Sequence, residues 1–340
     1  MKFAKFLTVA LAAMWLTAAA AHAAEPVATA GDNTAQSAAQ QNAIQVKDTD
    51  ADARAKAEAG IMGYTQSRNR EAGVFQQDEG HLWRTIRNGP VTFYGGLLLL
   101  VLPLLMAVFY FIAGPIKLHD PKTGRSIQRF TPLERATHWT VAISFVILGL
   151  TGIFILFGKH VLIPVIGHHA FSWVAITSKN IHNLLGPLFF VSVVIMFFTY
   201  LHENWPKKID MLWLTNAHKV LTGKMHVPSG KFNAAEKAWF WGGVAFLGII
   251  VSLSGFVLDF PVFNQGRHVM QIANLVHGIG AILFIAGAFG HIYMGTVGAE
   301  DAFTAMRTGQ VDETWAKEHH ELWYQEFKQG KTAEGGAKEL

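Results

Sequence analysis

The sequence of 340 residues contains no cysteine. This absence excludes disulfides, thiolate-bound iron–sulfur clusters, covalent haem attachment through CxxCH and cysteine-ligated zinc. Any redox centre in this chain must therefore be held without a covalent bond to sulfur, and histidine is the best-suited ligand.

Charged residues are also scarce, at 15%, whereas hydrophobic residues make up 51% of the chain. The formal net charge is only +4, and the basic residues fall in short segments between long apolar blocks. This distribution argues against nucleic-acid binding. The composition instead indicates a protein embedded in membrane lipid.

The N-terminus has the features of a secretory signal peptide, assigned to residues 1–23. Lys2 and Lys5 precede an apolar core that ends in Ala21-His22-Ala23, an A-x-A cleavage pattern. Residues 24–90 are rich in Ala, Gln, Asp and Glu, and we predict an exported, partly disordered segment. Cleavage would leave the mature N-terminus on the periplasmic side of a bacterial inner membrane.

Five apolar blocks of membrane-spanning length follow. They cover residues 91–113, 133–157, 181–201, 238–260 and 273–297. The segments after the first and third blocks are rich in lysine and arginine, so the positive-inside rule places both in the cytoplasm. The tail, residues 298–340, is then cytoplasmic too. The predicted fold class is all-α: a four-helix membrane bundle in residues 114–297, with one extra N-terminal span at 91–113.

Two of these spans begin with a helix-capping pattern. Thr131 is followed by Pro132 and by Glu134 three positions on, and Asn233 is followed in the same way by Glu236. A capping side chain with an acidic residue three positions later is typical of a helix start. We therefore expect the second and fourth spans to begin at these residues.

Four of the sixteen histidines lie within the spans. His277 and His291 are fourteen residues apart, so at about 1.5 Å per residue they project from one helix face roughly 21 Å apart. His138 shares the cytoplasmic depth of His291, and His182 shares the outer depth of His277. Ionisable side chains in hydrocarbon need partners. We predict two bis-histidine sites, His138 with His291 and His182 with His277.

Haem b suits such pairs, because neutral imidazoles bind the iron from both faces. The four histidines are thus candidate iron ligands of two b haems. Glycines near them would admit a flat porphyrin, although small residues also simply let membrane helices approach. These glycines are Gly149, Gly152, Gly186, Gly278, Gly280, Gly287 and Gly290. Histidines in the tail, such as His319 and His320, are expected to be solvated or interfacial.

Six motifs occur together between about Gln128 and Lys328: RATHWTVAISFVILGLTG, NIHNLLGPLFF, SGKFNAAEK, NLVHGIG, GHIYMG and WAKEHHELWY. With them the chain resembles the cytochrome b (gamma) subunit of respiratory formate dehydrogenases, a di-haem integral membrane family. The resemblance implies the same four haem ligands in the same pairs. The short form of the family has four spans and no signal peptide, so residues 1–113 depart from it.

The resemblance also implies an electron-transfer subunit with no catalytic residues for formate itself. Formate would be oxidised on a molybdenum or tungsten alpha subunit outside the membrane, and an iron–sulfur beta subunit would pass electrons to the outer haem. Menaquinone or ubiquinone would be reduced near the inner haem. Asn233 matches the family's quinone-contacting asparagine, and His291 is a second candidate for quinone contact.

Other functions stay open on the sequence. The nearest is a di-haem cytochrome b subunit of a nickel–iron hydrogenase or thiosulfate reductase, although SGKFNAAEK and WAKEHHELWY favour formate dehydrogenase. A histidine-based ion transporter would need polar residues along a continuous path, and the spans contain few. A passive anchor would bind no cofactor.

The sequence predicts two b haems per polypeptide in the detergent-purified protein. Haem extraction and a dithionite-reduced minus oxidised spectrum would measure this number. Folded protein without haem would contradict the bis-histidine interpretation.

Overall fold

The computed structural model describes residues 78–222, 225–263 and 265–330. The predicted signal peptide and most of the predicted exported segment lie outside the described residues. Contacts divide the chain into two units, Met1–Arg87 and Asn88–Leu340. Helix α1, Asp78–Ile86, belongs to the first unit.

Five helical segments of the described chain are long and apolar enough to cross a membrane, which confirms the predicted fold class. They are Gly80–Ala113, Pro132–Val161, Ile163–Tyr200, Ala234–Asp259 and Arg267–Gly298. The first contains a π-helical turn, Arg87–Val91, and then α2, Thr92–Ala113. The second and third are α3, Pro132–Val161, and α4, Ile163–Tyr200.

The fourth and fifth spans each include a π-helical stretch. The fourth consists of α7, Ala234–Trp239, a π stretch at Phe240–Leu247, and α8, Gly248–Asp259. The fifth consists of α9, Arg267–Tyr293, and a π stretch at Met294–Gly298. π-helical stretches are rare in proteins, and those that occur often lie at functional sites.

The remaining elements are short. They are β1 Ser126–Gln128, α5 Lys208–Thr215, α6 Ala217–Leu221, a 3₁₀ turn Pro261–Phe263, α10 Ala302–Thr308, β2 Gln310–Asp312, α11 Glu313–His319 and α12 Glu321–Lys328.

Both predicted helix starts are confirmed. The Thr131 hydroxyl accepts a hydrogen bond from the Glu134 amide, and the Glu134 carboxylate accepts one from the Thr131 amide. The Asn233 side chain and Glu236 form the same reciprocal pair at the start of α7. These bonds satisfy amide groups that a helix N-terminus otherwise leaves without a partner.

The predicted start of the third span at residue 181 is wrong, because α4 begins at Ile163. Gly167 interrupts the helix with φ 75°, a conformation that glycine adopts at little cost. Between this break and residue 181 the helix carries His168, His169, Lys179 and other polar residues. Polar residues lower the hydropathy without preventing helix formation, so an apolarity criterion detects only the second part of α4.

The bundle has two distinct ends, which we name by their connections. At the hairpin end, α3 passes into α4 through Leu162, and α8 passes into α9 through the 3₁₀ turn. The tail end carries the starts of α3 and α7, the ends of α4 and α9, and the C-terminal elements. Midway along the bundle, Phe284 of α9 packs on Phe145 of α3 and Phe189 of α4, with ring centroids 4.7 and 6.2 Å away.

The C-terminal elements pack against the tail end of the bundle. Strand β2 pairs antiparallel with β1. Strand β1 lies between α2 and α3 in the chain. Trp315 of α11 and Trp323 of α12 are buried in the same apolar cluster as residues of α3 and α4. Ile116 and Ala299 form a further backbone bridge between these two parts of the chain. The tail is therefore part of the folded bundle.

A buried ion pair joins elements at the tail end. The Lys231 ammonium lies 2.8 Å from the Glu134 carboxylate, and both side chains are 10% exposed. The Tyr200 hydroxyl also donates to the Glu134 carbonyl oxygen at 2.8 Å. Glu134 thus connects the start of α3 to the end of α4 and to the segment before α7.

Removing one partner of a buried ion pair leaves an uncompensated charge and costs about 3–5 kcal/mol. We therefore expect Glu134→Ala to lower the stability of the detergent-solubilised protein by about that amount, measured by thermal unfolding. Glu203→Ala is the matched control, since Glu203 lies 3.9 Å from the same lysine but is 43% exposed. It should cost less than about 1 kcal/mol. Equal losses in both variants would contradict this assignment.

Candidate functional site

The four histidines of the spans meet in two pairs across the bundle. The rings of His138 on α3 and His291 on α9 have centroids 6.1 Å apart, with an angle of 52° between their planes. Those of His182 on α4 and His277 on α9 have centroids 5.9 Å apart, at 74°. The structure thus brings together the residues that shared a predicted depth, one pair near each end.

These separations fit two imidazoles on opposite sides of one iron atom. A metal–nitrogen bond of about 2.0 Å and about 1.1 Å from nitrogen to ring centre give a centroid separation of about 6.2 Å. A direct ring-to-ring hydrogen bond of about 2.9 Å would bring the centroids to about 5 Å. The observed 6.1 and 5.9 Å agree with the iron-bridged arrangement.

The hairpin-end pair, His182 and His277, is oriented by hydrogen bonds. Nδ1 of His277 lies 2.9 Å from the Val251 carbonyl oxygen and 3.3 Å from the Ser254 hydroxyl. A carbonyl oxygen only accepts, so Nδ1 carries the proton and donates it. Nε2 is therefore left with its lone pair, as an iron ligand requires.

The same argument holds for His182. Its Nδ1 lies 2.9 Å from the Thr151 hydroxyl, and that hydroxyl donates to the Ile147 carbonyl oxygen at 2.8 Å. With its proton engaged there, Thr151 accepts a hydrogen bond from Nδ1–H of His182. Again Nε2 keeps the lone pair.

A glycine follows each of the two hydroxyl residues and leaves room for the imidazole. A Cβ at Gly152 would lie 3.4 Å from Cε1 of His182, and one at Gly255 would lie 3.2 Å from Cε1 of His277. Of these four residues, only Gly152 was predicted from the sequence, and Thr151, Ser254 and Gly255 were not. The signal that would have found them is a hydroxyl–glycine dipeptide in the span before each ligand, LTG in α3 and LSG in α8.

The tail-end pair is oriented by aromatic rings instead. His291 stacks on Trp239, with centroids 5.3 Å apart and 14° between the planes. His138 meets the edge of Trp139 at 5.4 Å and 89°. Nδ1 of His138 is enclosed without a hydrogen-bond partner among the described residues. For His291 too, no hydrogen bond of a ring nitrogen to a described residue is found.

The glycines expected to admit a porphyrin have different surroundings. A Cβ at Gly287 would lie 2.7 Å from Trp239, and one at Gly280 would lie 3.0 Å from Val251. Gly287 and Gly280 therefore let α9 pack closely against the side chains of neighbouring helices. Among the described residues, apart from the adjacent residues and the nearby backbone of the same helix, no atom lies within 4 Å of the Cβ positions of Gly186, Gly278 and Gly290.

A large cavity opens beside His291 at the tail end. Its volume is about 1260 Å³, above the roughly 300–1,000 Å³ of a pocket for one small ligand. Its walls include His291, Gly290, Trp239, Asn233, Glu236 and His319. The cavity therefore offers space for a second flat ligand next to a cofactor on His291.

A sequence profile described as prokaryotic cytochrome b561 matches residues 129–309 of this chain. The matched region contains all four paired histidines. The chain belongs to this cytochrome family. Haem b is accordingly the cofactor that membership implies, and the two histidine pairs fit it.

Three relatives of the cytochrome are subunits of formate dehydrogenases. The cytochrome b556(fdo) subunit of Escherichia coli K12 is 30% identical over 210 residues, covering 61% of this chain and 96% of the relative. The nitrate-inducible cytochrome b556(Fdn) subunit of the same strain is 30% identical over 215 residues, covering 60% and 93%. A cytochrome b556 subunit from Haemophilus influenzae is 29% identical over 216 residues, covering 62% and 87%.

Asn233 has both a structural contact and a free donor in the cytochrome. Its Oδ1 accepts hydrogen bonds from the amides of Ala235 and Glu236, at 2.9 and 3.0 Å. Among the described residues no partner is found for its Nδ2. Because Asn233 lines the cavity, Nδ2 is available to a ligand there.

The tail histidines lie against this cavity. They were expected to be solvated or interfacial, and His320 is instead fully buried. It is 1% exposed, and its Nδ1 bonds to the Gly230 carbonyl oxygen at 2.7 Å. Burial, assisted by nearby Arg129, lowers the pKa of His320 to about 3. His320 is therefore neutral near pH 7 and helps to fix the tail beneath the bundle.

Each histidine pair should act as a unit in the cytochrome. His182→Ala or His277→Ala should remove one haem, and His138→Ala or His291→Ala the other, because one remaining imidazole leaves an axial position of the iron without a ligand. Haem content and reduced spectra of the four variants measure this. His168→Ala, at an exposed position of α4, should retain the full haem content. Loss of the same haem from all four variants would overturn the pairing.

Proposed function

We propose that this cytochrome is the membrane electron-transfer subunit of a formate dehydrogenase, with two b haems and a quinone site at the tail end. His182 and His277 would hold one haem, and His138 and His291 the other. The observation that carries the proposal is the presence of two histidine pairs, each at the separation that one iron requires. The names of the relatives supply the formate dehydrogenase assignment.

When bound, the haems supply one-electron carriers that connect a donor subunit at one membrane surface to quinone at the other. The chain's own contribution is to fix their positions. His277 and His291 lie on one helix, α9, so the two sites keep a separation of about 21 Å along its axis. Because the helix is rigid and buried in the bundle, neither site can move independently of the other.

Charge supports an orientation with the tail end in the cytoplasm of a bacterium and the hairpin end in the periplasm. The segment after α2 carries Lys117, Lys122, Arg125 and Arg129, and lysines also follow α4. The hairpin-end connections carry fewer basic residues. By the positive-inside rule, the mature N-terminus would be periplasmic and the C-terminus cytoplasmic, in the inner membrane.

The donor would be an iron–sulfur beta subunit bound to a molybdenum or tungsten alpha subunit on the periplasmic side. This chain contains no cysteine, so it supplies no thiolate for an iron–sulfur cluster. It would take electrons at the His182–His277 site and would not oxidise formate alone. Quinone reduction is the reaction to which its own side chains contribute.

Menaquinone or ubiquinone would bind in the tail-end cavity. Apolar side chains such as Trp239, Phe246 and Leu283 line it and suit a quinone ring and its tail. Nδ2 of Asn233 would donate a hydrogen bond to a quinone oxygen, and His291 lines the same space. Protons for the reduced quinone would enter from the cytoplasm.

An ion-transport function is less consistent with the polar groups of the spans. The hydroxyls of Thr151, Ser192 and Ser254 each bond to a carbonyl oxygen one turn earlier on their own helix. Such bonds satisfy the hydroxyl within its helix and provide no chain of groups from one to the next. These three hydroxyls therefore form no continuous polar path through the described spans.

Formate should reduce the b haems of the complex purified with its partner subunits, and quinone should reoxidise them. The isolated chain should show no reduction by formate, although dithionite reduces it. Stopped-flow spectra would test both statements. Reduction by hydrogen in place of formate, or reoxidation of the reduced haems by thiosulfate, would assign the cytochrome to another enzyme complex.

The variant Asn233→Asp distinguishes the helix-capping role of Asn233 from its proposed contact with quinone. Aspartate caps a helix as well as asparagine does, so stability and haem content should be unchanged. Loss of the Nδ2 donor should cost about 1 kcal/mol in quinone binding, a decrease of roughly fivefold in kcat/KM for quinone. Asn233→Ala, the control that lacks the cap as well, should lose both stability and quinone turnover. Full quinone turnover in Asn233→Asp would exclude the donor role.

A further inference from the structure

The two histidine pairs differ in what holds their rings. At the hairpin end, Nδ1 of both His182 and His277 is hydrogen-bonded to an oxygen at 2.9 Å. At the tail end, His138 and His291 contact the indoles of Trp139 and Trp239, and neither has a ring hydrogen bond to a described residue. Both pairs consist of histidines, but the groups around the rings differ between the two ends.

The hydrogen bonds have an electronic consequence for a bound metal. An imidazole that donates its Nδ1–H to an oxygen gains electron density, and its Nε2 becomes a stronger ligand. A stronger ligand stabilises ferric iron more than ferrous iron, so the reduction potential falls. Hydrogen bonding around the ligands is one of the ways in which a protein sets a haem potential.

We propose that Thr151 and Ser254 are positioning residues that lower the potential of the hairpin-end haem below that of the tail-end haem. This inference rests on the proposed function, which puts a haem at each pair. Electron transfer from the hairpin end to the tail end is then downhill. The direction of flow is set by second-layer hydrogen bonds, since all four iron ligands are histidines.

The hydroxyls of Thr151 and Ser254 have equivalent positions beside a histidine ring, but their hydrogen bonds to the ring differ in length. Thr151 is the hydroxyl acceptor of His182, at 2.9 Å. Ser254 is 3.3 Å from His277, whose main acceptor is the carbonyl oxygen of Val251 at 2.9 Å. Removing the threonine hydroxyl therefore takes away more of the ligand's hydrogen bonding than removing the serine hydroxyl.

Redox titration of the purified holoprotein, followed by the haem absorption bands, tests the proposal. The wild type should titrate in two waves. Thr151→Val removes the acceptor and keeps the side-chain shape, so the lower-potential wave should shift upward while the higher wave stays in place. Ser254→Ala should shift the same wave by less. Thr151→Ser, which keeps the hydroxyl, should retain the wild-type potential.

Two matched controls carry hydroxyls that bond to a carbonyl oxygen of their own helix, and neither hydroxyl contacts a histidine among the described residues. Thr199 donates to the Ile195 carbonyl oxygen at 2.8 Å, and Ser192 donates to that of Leu188 at 2.7 Å. Thr199→Val and Ser192→Ala should leave both waves unchanged.

The proposal is overturned if Thr151→Val leaves both waves in place, if it moves the higher wave, or if Thr151→Ser shifts the potential as much as valine does. These outcomes differ from a failure of the proposed function. A wild-type protein that contains no haem, or whose haems are not reduced by formate in the complex, would refute the proposed function instead.

Discussion

A histidine inside a bilayer must find a partner in the protein or its cofactor, because hydrocarbon offers no water to its ring nitrogens. This constraint explains how the bundle is arranged. Helix α9 carries His277 and His291, and α3 and α4 each supply one partner. The hairpin of α3 and α4 and the hairpin of α8 and α9 must face each other for both pairs to form. The layer of Phe145, Phe189 and Phe284 fills the space between the pairs.

The two ends of the bundle surround their histidine pairs with different groups. At the hairpin end, hydroxyls and a carbonyl oxygen engage Nδ1, and glycines leave room for the rings. At the tail end, the indoles of Trp139 and Trp239 orient the imidazoles, and a large cavity lies beside them. On the proposed function, the enclosed site would only pass electrons, whereas the site beside the cavity would also meet a diffusing quinone, which requires open volume.

Much of this arrangement follows from local sequence signals. The spans are long apolar runs, the starts at Thr131 and Asn233 are capping patterns, and the histidine depths follow from counting residues along alternating spans. Each of these depends on residues close in sequence. The early start of α4 escaped detection because polar residues after Gly167 lower its apolarity while the helix continues.

Contacts between distant residues were not predictable from the same signals. Lys231 meets Glu134, Thr151 meets His182 and His320 meets the Gly230 carbonyl only because the fold brings distant parts of the chain together. The burial of His320 in particular reverses what its charged neighbours in sequence suggest. A single sequence records such contacts only as isolated polar residues.

The position of the tail in the fold has a consequence for how the protein is made. The hairpin-end pair is complete once His277 has been synthesised, and the tail-end pair only after His291. The walls of the large cavity include His319 and His320, which emerge from the ribosome later still. During synthesis the cavity is therefore open on that side, so the haem proposed for His291 would have access to its site before the C-terminal helices close it.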